Sequence, residues 1–392
     1  MFIILYAFLF SMGSIISDPK PLEADFVPPS LPHREKEMKT LDRMFYPVVK
    51  YNSPANAMVM GKSGMGKTAL VHRFLDFLED KVQEEGRVVK YVYVSCMDSR
   101  TDYSILLKVM KSFDKRYPAK GRTMDEIKSD LRSTMNRDKV HLVVVLDEAN
   151  LLQKDTELIY LFTRSKTLEY GTISTILISI VDIRDRMNVQ ELGTFGRSTM
   201  VHLKDYDRTQ LRDILDQRIE LALHPDTATE GAEELILDGA CERNNEARVV
   251  VELLRKSASA AEKDSADQIM PDHVRLAKAD SYPWVSISKI GLLDFDAQLL
   301  LFTIAGCLRK DEAYIGTDEL KDFYADACSR NNVRVNRDSY FRNLDVLEKE
   351  GFIDVWERKG QASLVSLPDC PAYGVEEMVL EVWKRTRQKY VA

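Results

Sequence analysis

Residues 61–68 read GKSGMGKT and follow the apolar run AMVM at 57–60. Gly61, Gly66, Lys67 and Thr68 satisfy the spacing GxxxxGK[ST]. In that pattern the glycines let backbone N–H groups turn inward on a phosphate chain. The lysine reaches the β- and γ-phosphates, and the hydroxyl holds magnesium. The surroundings agree, because AMVM has the length and composition of a buried strand and KTALVHRFLDFLED (67–80) opens a helix. The stretch from Gly61 to Ala69, with Lys62, Ser63, Gly64 and Met65 inside it, is therefore the candidate phosphate cradle. The bland alternative is a glycine-rich turn without a ligand.

A second stretch supports the first. HLVVVLDE (141–148) is a hydrophobic run ending in two carboxylates. Acidic residues at a strand end often do no more than cap it. Downstream of a phosphate loop, Asp147 is expected to orient magnesium together with Thr68. Glu148 is expected to polarise the water that attacks the γ-phosphate. The cofactors implied are ATP or ADP with Mg2+.

Around these stretches the chain reads as several units. Four short runs, NAMVMG (56–61), KYVYVSC (90–96), HLVVVLD and STILISI (174–180), have the apolar, β-branched character of strands buried on both faces. Helical patterns separate them, which predicts an α/β parallel sheet with a phosphate loop over 18–208. A helix is expected over 34–49, with Met38, Leu41 and Phe45 on one face. A purely helical unit follows at 209–282, then a linker at 283–291. At 292–392 three helices precede two strands around a Lys359-Gly360 turn, the order of a winged helix.

The 392 residues are 45% hydrophobic and 30% charged, as in a globular protein with ample core. A net charge of −7 excludes a whole-surface basic field, though not a local basic face. Five scattered cysteines without a CxxC pair point to reduced thiols in the cytoplasm and to no zinc site. Residues 1–17 begin with MFIILYAFLFSMGSII, apolar but lacking a basic n-region and too short for a full span. Translation starting at Met12 is the expectation, a peripheral membrane contact the alternative, and stable membrane insertion is not expected.

Taken together, the chain resembles the archaeal AAA+ replication initiators of the origin-recognition/cell-division-control (Orc/Cdc) type. The resemblance is carried by ISDPKPLEADFVPPSLPHREKEMKTL (16–41), MVMGKSGMGKTALV (58–71), VVVLDEANLL (143–152), IRDRM (183–187), KDYDRTQLRDIL (204–215), NNEARVVVELLRKS (244–257) and MPDHVRLA (270–277). It implies an AAA+ core, a helical lid and a C-terminal winged helix that binds origin DNA. It also implies that Val27, Pro28, Leu31 and Arg34 of the proline-dotted arm lie against adenine, with a plain hydrophobic clasp as the alternative. Tyr206 joins the nucleotide site by the same resemblance. Arg248 resembles the second sensor, a lid cation that reaches the γ-phosphate, against the alternative of a solvated helix charge. Two positions depart from the family pattern. Ser179 stands nearest to the polar first sensor, and Gln190 stands where the arginine finger falls. Arg184, Arg186 and Arg197 are the nearby substitutes. Tight ATP binding with slow hydrolysis is therefore expected.

The winged-helix segment VRVNRDSYFRNLDVLEKEG (333–351) has Asn336 as an N-cap, with Phe341, Leu344 and Leu347 expected to face inward. Arg334, Arg337, Tyr340 and Arg342 are expected to face double-stranded DNA, with Arg358 and Lys359 at the tip of the wing. Against this, Asp338, Asp345 and Glu348 would suit a winged helix that grips protein. Lys115, Arg116, Lys120 and Arg122, in a long connection before the third strand, are further DNA candidates by resemblance or else a solvated loop. The expectation is an ATP-latched, nucleoid-associated initiator that binds origin sites, self-associates on DNA and supports loading of a replicative helicase. The alternatives are a P-loop regulatory switch in signalling or transcription, and a transposition-helper ATPase.

Overall fold

The apolar runs assemble side by side. In the computed structural model, which describes residues 14–118, 120–152, 158–163, 172–184, 187, 199–279, 286–309, 312–331, 333, 337–356 and 362–391, they form one parallel sheet. Helix α1 (Glu35–Tyr51) precedes β1 (Asn56–Met60), and α2 (Lys67–Glu84) precedes β2 (Val89–Ser95). Then come α3 (Asp102–Phe113), α4 (Met124–Asp138), β3 (His141–Asp147), α5 (Leu158–Thr163), β4 (Ile173–Ser179) and β5 (Met200–His202). The strand order is β2-β3-β4-β1-β5, with every pairing parallel. At three residues, β5 is too short to show a period, so the sequence reading passed over it.

Every residue of β4 is buried, as are all but the last of β3. Helices cover both faces of these strands, which is why their sequences are continuous apolar runs instead of alternating ones. Helices α3 and α4 each start on a threonine capping box, Thr101 with Ser104 and Thr123 with Glu126. The register sets Met60 opposite Ser179 and Ser95 opposite Asp147. The polar residues thus emerge together at the carboxyl edge of the sheet, where open α/β sheets place their ligands.

The chain divides into two compact units. One holds residues 25–210 and 246–248; the other holds the chain up to Ala24 together with 211–245 and 249–392. The first boundary therefore differs from the expected residue 18. Ser17 and Asp18 both donate backbone N–H bonds to the Ala222 carbonyl (2.8 and 3.1 Å), and Arg218 donates to the Pro21 carbonyl at 2.7 Å.

The second unit contains α6 (Arg208–Ala222) from Leu211 onward, α7 (Glu230–Glu242), α8 (Ala247–Lys263) and α9 (Pro271–Ala279). Next are α10 (Ile287–Ile290), α11 (Phe295–Cys307), β6 (Ile315–Gly316), α12 (Thr317–Arg330), α13 (Arg337–Lys349), β7 (Asp354–Trp356), β8 (Leu364–Ser366) and α14 (Ala372–Val391). The small sheet is antiparallel in the order β6-β8-β7, consistent with a winged helix. The helical segment and the winged-helix segment fall within one compact unit.

Arg275 is a physical reason for this. Its side chain on α9 is fully buried and ion-paired to Asp272 at 2.8 Å. It also donates to the carbonyls of Leu308 (3.2 Å), Glu312 (3.1 Å) and Ala313 (3.0 Å), at the turn after α11. Removing one partner of such a buried network costs about 3–5 kcal/mol. Arg275→Ala is expected to lower the urea midpoint of this unit by a corresponding amount, measured by circular dichroism. Arg275→Lys should recover only part of the loss, because an ammonium cannot reproduce the planar fork.

Candidate nucleotide-binding site

The loop after β1 takes the conformation that its glycines permit. Gly64 and Gly66 have φ of +71° and +78°, and Gly66 is the N-cap of α2. The amino end of an eighteen-residue helix thus follows directly on a loop that side chains would strain. Such an end presents unpaired N–H groups and a partial positive charge to an anion. At Gly64 there is also no room: an added Cβ would lie 2.4 Å from Glu246 Oε2 and 2.8 Å from Glu246 Cβ.

Lys67 Nζ donates to the Lys62 carbonyl at 2.6 Å. Burial pulls its ammonium below the ordinary lysine value, and repulsion from Arg248 acts the same way, while Asp147, Glu148 and Glu246 oppose the shift. The cation is thus held in a partly desolvated place where an anionic ligand would be welcome. Lys62 itself is exposed and ion-paired with Asp205. Ser63 is exposed, Met65 is fully buried and Ala69 is half-buried at the start of α2.

Thr68 Oγ1 donates to Asp147 Oδ2 at 2.9 Å, so the two motifs found in sequence meet in space. The second carboxylate oxygen, Oδ1, accepts the Glu148 N–H at 2.8 Å. Because the hydroxyl spends its single proton on Asp147, its lone pairs stay available to a hard cation. A hydroxyl and a carboxylate are oxygen donors of the kind magnesium takes, so the residues present fit that ion. Glu148 has φ of +55°, a left-handed conformation uncommon outside glycine, which turns the chain sharply as it leaves β3.

The arm contributes through Arg34. Its guanidinium is buried, donates to the carbonyls of Met65 (3.2 Å) and Lys204 (3.1 Å), and lies 3.9 Å from the Tyr206 ring centroid. Arg34 therefore braces the loop from behind, and its contacts are to protein. Tyr206 is buried with its hydroxyl facing Gly66, where an added Cβ would lie 3.7 Å away. Pro28 is buried, and Val27 and Leu31 are half-buried.

Ser179 is buried, and its hydroxyl donates to the Val181 carbonyl at 2.6 Å. An amide does lie at that strand end, but it comes from Asn150, whose Oδ1 is 3.4 Å from Ser179 Oγ. The loop after β3 thus brings a second polar side chain to the end of β4. Arg184 is tied to Asp182, whereas Arg186, Gln190 and Arg197 lie outside the described residues. Asn244 and Asn245 both take left-handed φ (+58°) before α8, and Arg248 on its first turn is exposed. Sequence reasoning also missed Tyr93, whose hydroxyl bonds Asp147; a tyrosine inside an apolar strand carries no motif to betray it.

The DNA-facing expectations fare unevenly. Tyr340 is corrected: it is 1% exposed, and its hydroxyl donates to the Thr317 carbonyl at 2.8 Å. Phe341, expected inside, is half exposed instead. The buried stripe of α13 runs through 340, 344 and 347, and position 341 lies one step around the helix from it. Arg342 is exposed, whereas Arg334, Arg358, Lys359 and the Arg337 side chain lie outside the described residues. Lys115, Arg116, Lys120 and Arg122 are exposed between α3 and α4, with Arg122 3.8 Å from Asp130.

A parallel sheet carrying this phosphate loop and a helical lid defines an AAA+ protein. Residues 51–187 match an AAA domain family profile, and residues 212–279 match the Cdc6 AAA+ ATPase-type lid domain. The chain is 28% identical over 332 residues to an ORC1-type DNA replication protein of Pyrococcus horikoshii, covering 83% of this chain and 79% of that one. The crystal structure of Cdc6p from Pyrobaculum aerophilum superposes with a TM-score of 0.79 at 21% identity, covering 95% of this chain and all of that one. The Aeropyrum pernix ORC1 protein, solved in complex with DNA, gives a TM-score of 0.62 at 26% identity, covering 94% and 97%. These matches make the chain similar to the ORC1/Cdc6-type AAA+ replication initiators over most of its length.

Gly64→Ala tests the cradle. The new Cβ meets the Glu246 carboxylate and adopts a φ that costs an L-residue about 1–2 kcal/mol. ATP affinity, titrated with a fluorescent analogue, is expected to fall by about tenfold or more. Adding Glu246→Ala should return the steric part of the loss and leave the conformational part.

Proposed function

We propose that this chain is an ATP-responsive, DNA-binding replication initiator that recognises origin DNA and supports helicase loading. The observation that carries the reading is the meeting of Thr68 and Asp147 beside Lys67, at the amino end of α2. Structures of the Aeropyrum pernix ORC2 protein in ADPNP-ADP complexes support the nucleotide, and the DNA complex of ORC1 from that organism supports the DNA. On this reading Lys67 and the loop amides hold the phosphates, and Thr68 and Asp147 hold magnesium. The metal would neutralise phosphate charge. Glu148 is the base that orients water, and Arg248 reads the γ-phosphate. ATP then acts as a latch at the first turn of α8, which alters how the chain binds DNA or its helicase partner.

A protein-gripping winged helix is the second reading, favoured by one observation. Asp338, Asp345 and Glu348 are all exposed on α13, while Tyr340 is not available to a groove.

Footprints on genomic fragments separate the two. With ATP the wild-type chain should protect short repeated sites, and Lys67→Ala should abolish nucleotide retention and the ATP effect together. Arg337→Ala with Arg342→Ala should weaken protection while leaving ATP affinity unchanged. Full protection by that pair would move the DNA contact off α13, and no protected site for the wild type would favour a protein ligand.

Hydrolysis should be slow. With Gln190 at the finger position, phosphate release from the free chain is expected to stay below about one turnover per minute. Many turnovers per minute would instead assign the finger role to another arginine.

A further inference from the structure

We propose that Tyr93 is a positioning residue of the nucleotide site, whose hydroxyl holds the Asp147 carboxylate and thereby sets how the site responds to magnesium. The proposal rests on the nucleotide reading above. Asp147 is engaged at three points. Oδ1 accepts the Glu148 N–H, and Oδ2 accepts both the Thr68 hydroxyl and the Tyr93 hydroxyl. Thr68 and Glu148 belong to the two sequence motifs, but Tyr93 comes from the middle of β2 and belongs to neither.

The ring is itself held. It stacks on His72 of α2, with centroids 4.5 Å apart and planes at 18°. In the register of the sheet Tyr93 pairs with Val145, two residues before Asp147. A phenol carries its proton at neutral pH, so the hydroxyl that meets the carboxylate is the donor of the pair. A hydroxyl donating to a carboxylate is a charge-assisted bond, stronger than a neutral one.

Two donors on one oxygen differ in what they are free to do. The Thr68 hydroxyl is the group expected to engage a metal, and its geometry must answer to that ion. Tyr93 has no such second duty. It keeps Asp147 oriented whether or not Thr68 shifts, so the carboxylate need not be reordered each time magnesium arrives. Without the phenol, the Asp147 carboxylate keeps the Glu148 N–H and the Thr68 hydroxyl that the metal would also claim.

The test is Tyr93→Phe in the full chain, which removes one oxygen and keeps the ring against His72. Binding of a fluorescent ATP analogue is measured across a magnesium series and in EDTA, with melting temperature as a control. The magnesium concentration for half-maximal effect is expected to rise roughly tenfold, with affinity in EDTA within about twofold of wild type. In an Asp147→Asn background the same change should add almost nothing, since the two groups act as one. A Tyr93→Phe magnesium curve that overlays wild type overturns the proposal. So does an equal loss with and without magnesium, or a full tenfold effect in the Asp147→Asn background. A wild-type chain that binds no ATP under either condition sinks the nucleotide reading first, and this proposal with it.

Discussion

The hydrogen bond between Thr68 and Asp147 spans the width of a strand. Thr68 follows β1, Asp147 ends β3, and β4 lies between them in the sheet. Nothing local in the chain brings residues 68 and 147 together; only the parallel order of three buried strands does. That order is enforced by apolar runs that must be covered on both faces. The site is therefore a consequence of the core. Any change that slipped β4 by one residue would turn its side chains over and displace both edges of the site at once.

Buried arginines brace the structure around this arrangement in a recurring way. Arg34 gives its guanidinium to two backbone carbonyls behind the phosphate loop, and Arg275 gives its own to three. Arg218 does the same at the Pro21 carbonyl, and burial brings its guanidinium down to about 10. A fork of fixed donors suits irregular backbone, where carbonyls lack ladder partners and burial would otherwise leave them unpaired. For Arg34 this changes the meaning of the residue. Family resemblance marks it as a base contact, and its bonds to Met65 and Lys204 make it a support for the phosphate loop as well. For Arg275 the effect is to bind α9 to the winged-helix segment, so that α9 and that segment stay joined within the second unit.

How much could be read beforehand depended on whether function had to be written in a short, continuous stretch. The phosphate loop and the carboxylates at 147 and 148 were legible, because backbone conformation demands glycines at fixed offsets and chemistry demands particular side chains next to them. The four long strands were legible for the same reason, since burial on both faces leaves a run that polar residues cannot interrupt. Tyr93 was not, because its role depends on which strand lies beside β3, and a sequence does not number its neighbours. Asn150 was missed in a related way: its amide reaches the end of β4 from the loop after β3, and a sequence does not show which loop lies beside which strand. On α13 the error was one of phase. Tyr340 and Phe341 are consecutive aromatics, and only the exact rotation of the helix decides that the first is core and the second is surface.

The charges at the first turn of α8 show why phosphate count can matter to this chain. Lys67 is partly desolvated and feels a second cation, Arg248, along with the carboxylates of Asp147, Glu148 and Glu246. Glu246 presses against Gly64, the position where the loop has no side chain to resist it. In the absence of a polyanion, carboxylates of the protein balance these cations. A bound triphosphate would compete with Glu246 for that role and offer Arg248 a partner beyond the reach of a diphosphate. The competing groups are only two residues apart, so on the proposed reading satisfying Arg248 and displacing Glu246 would be coupled. A latch built this way would need no long path through the protein, because the residue proposed to read the ligand and the residue it would displace share one turn.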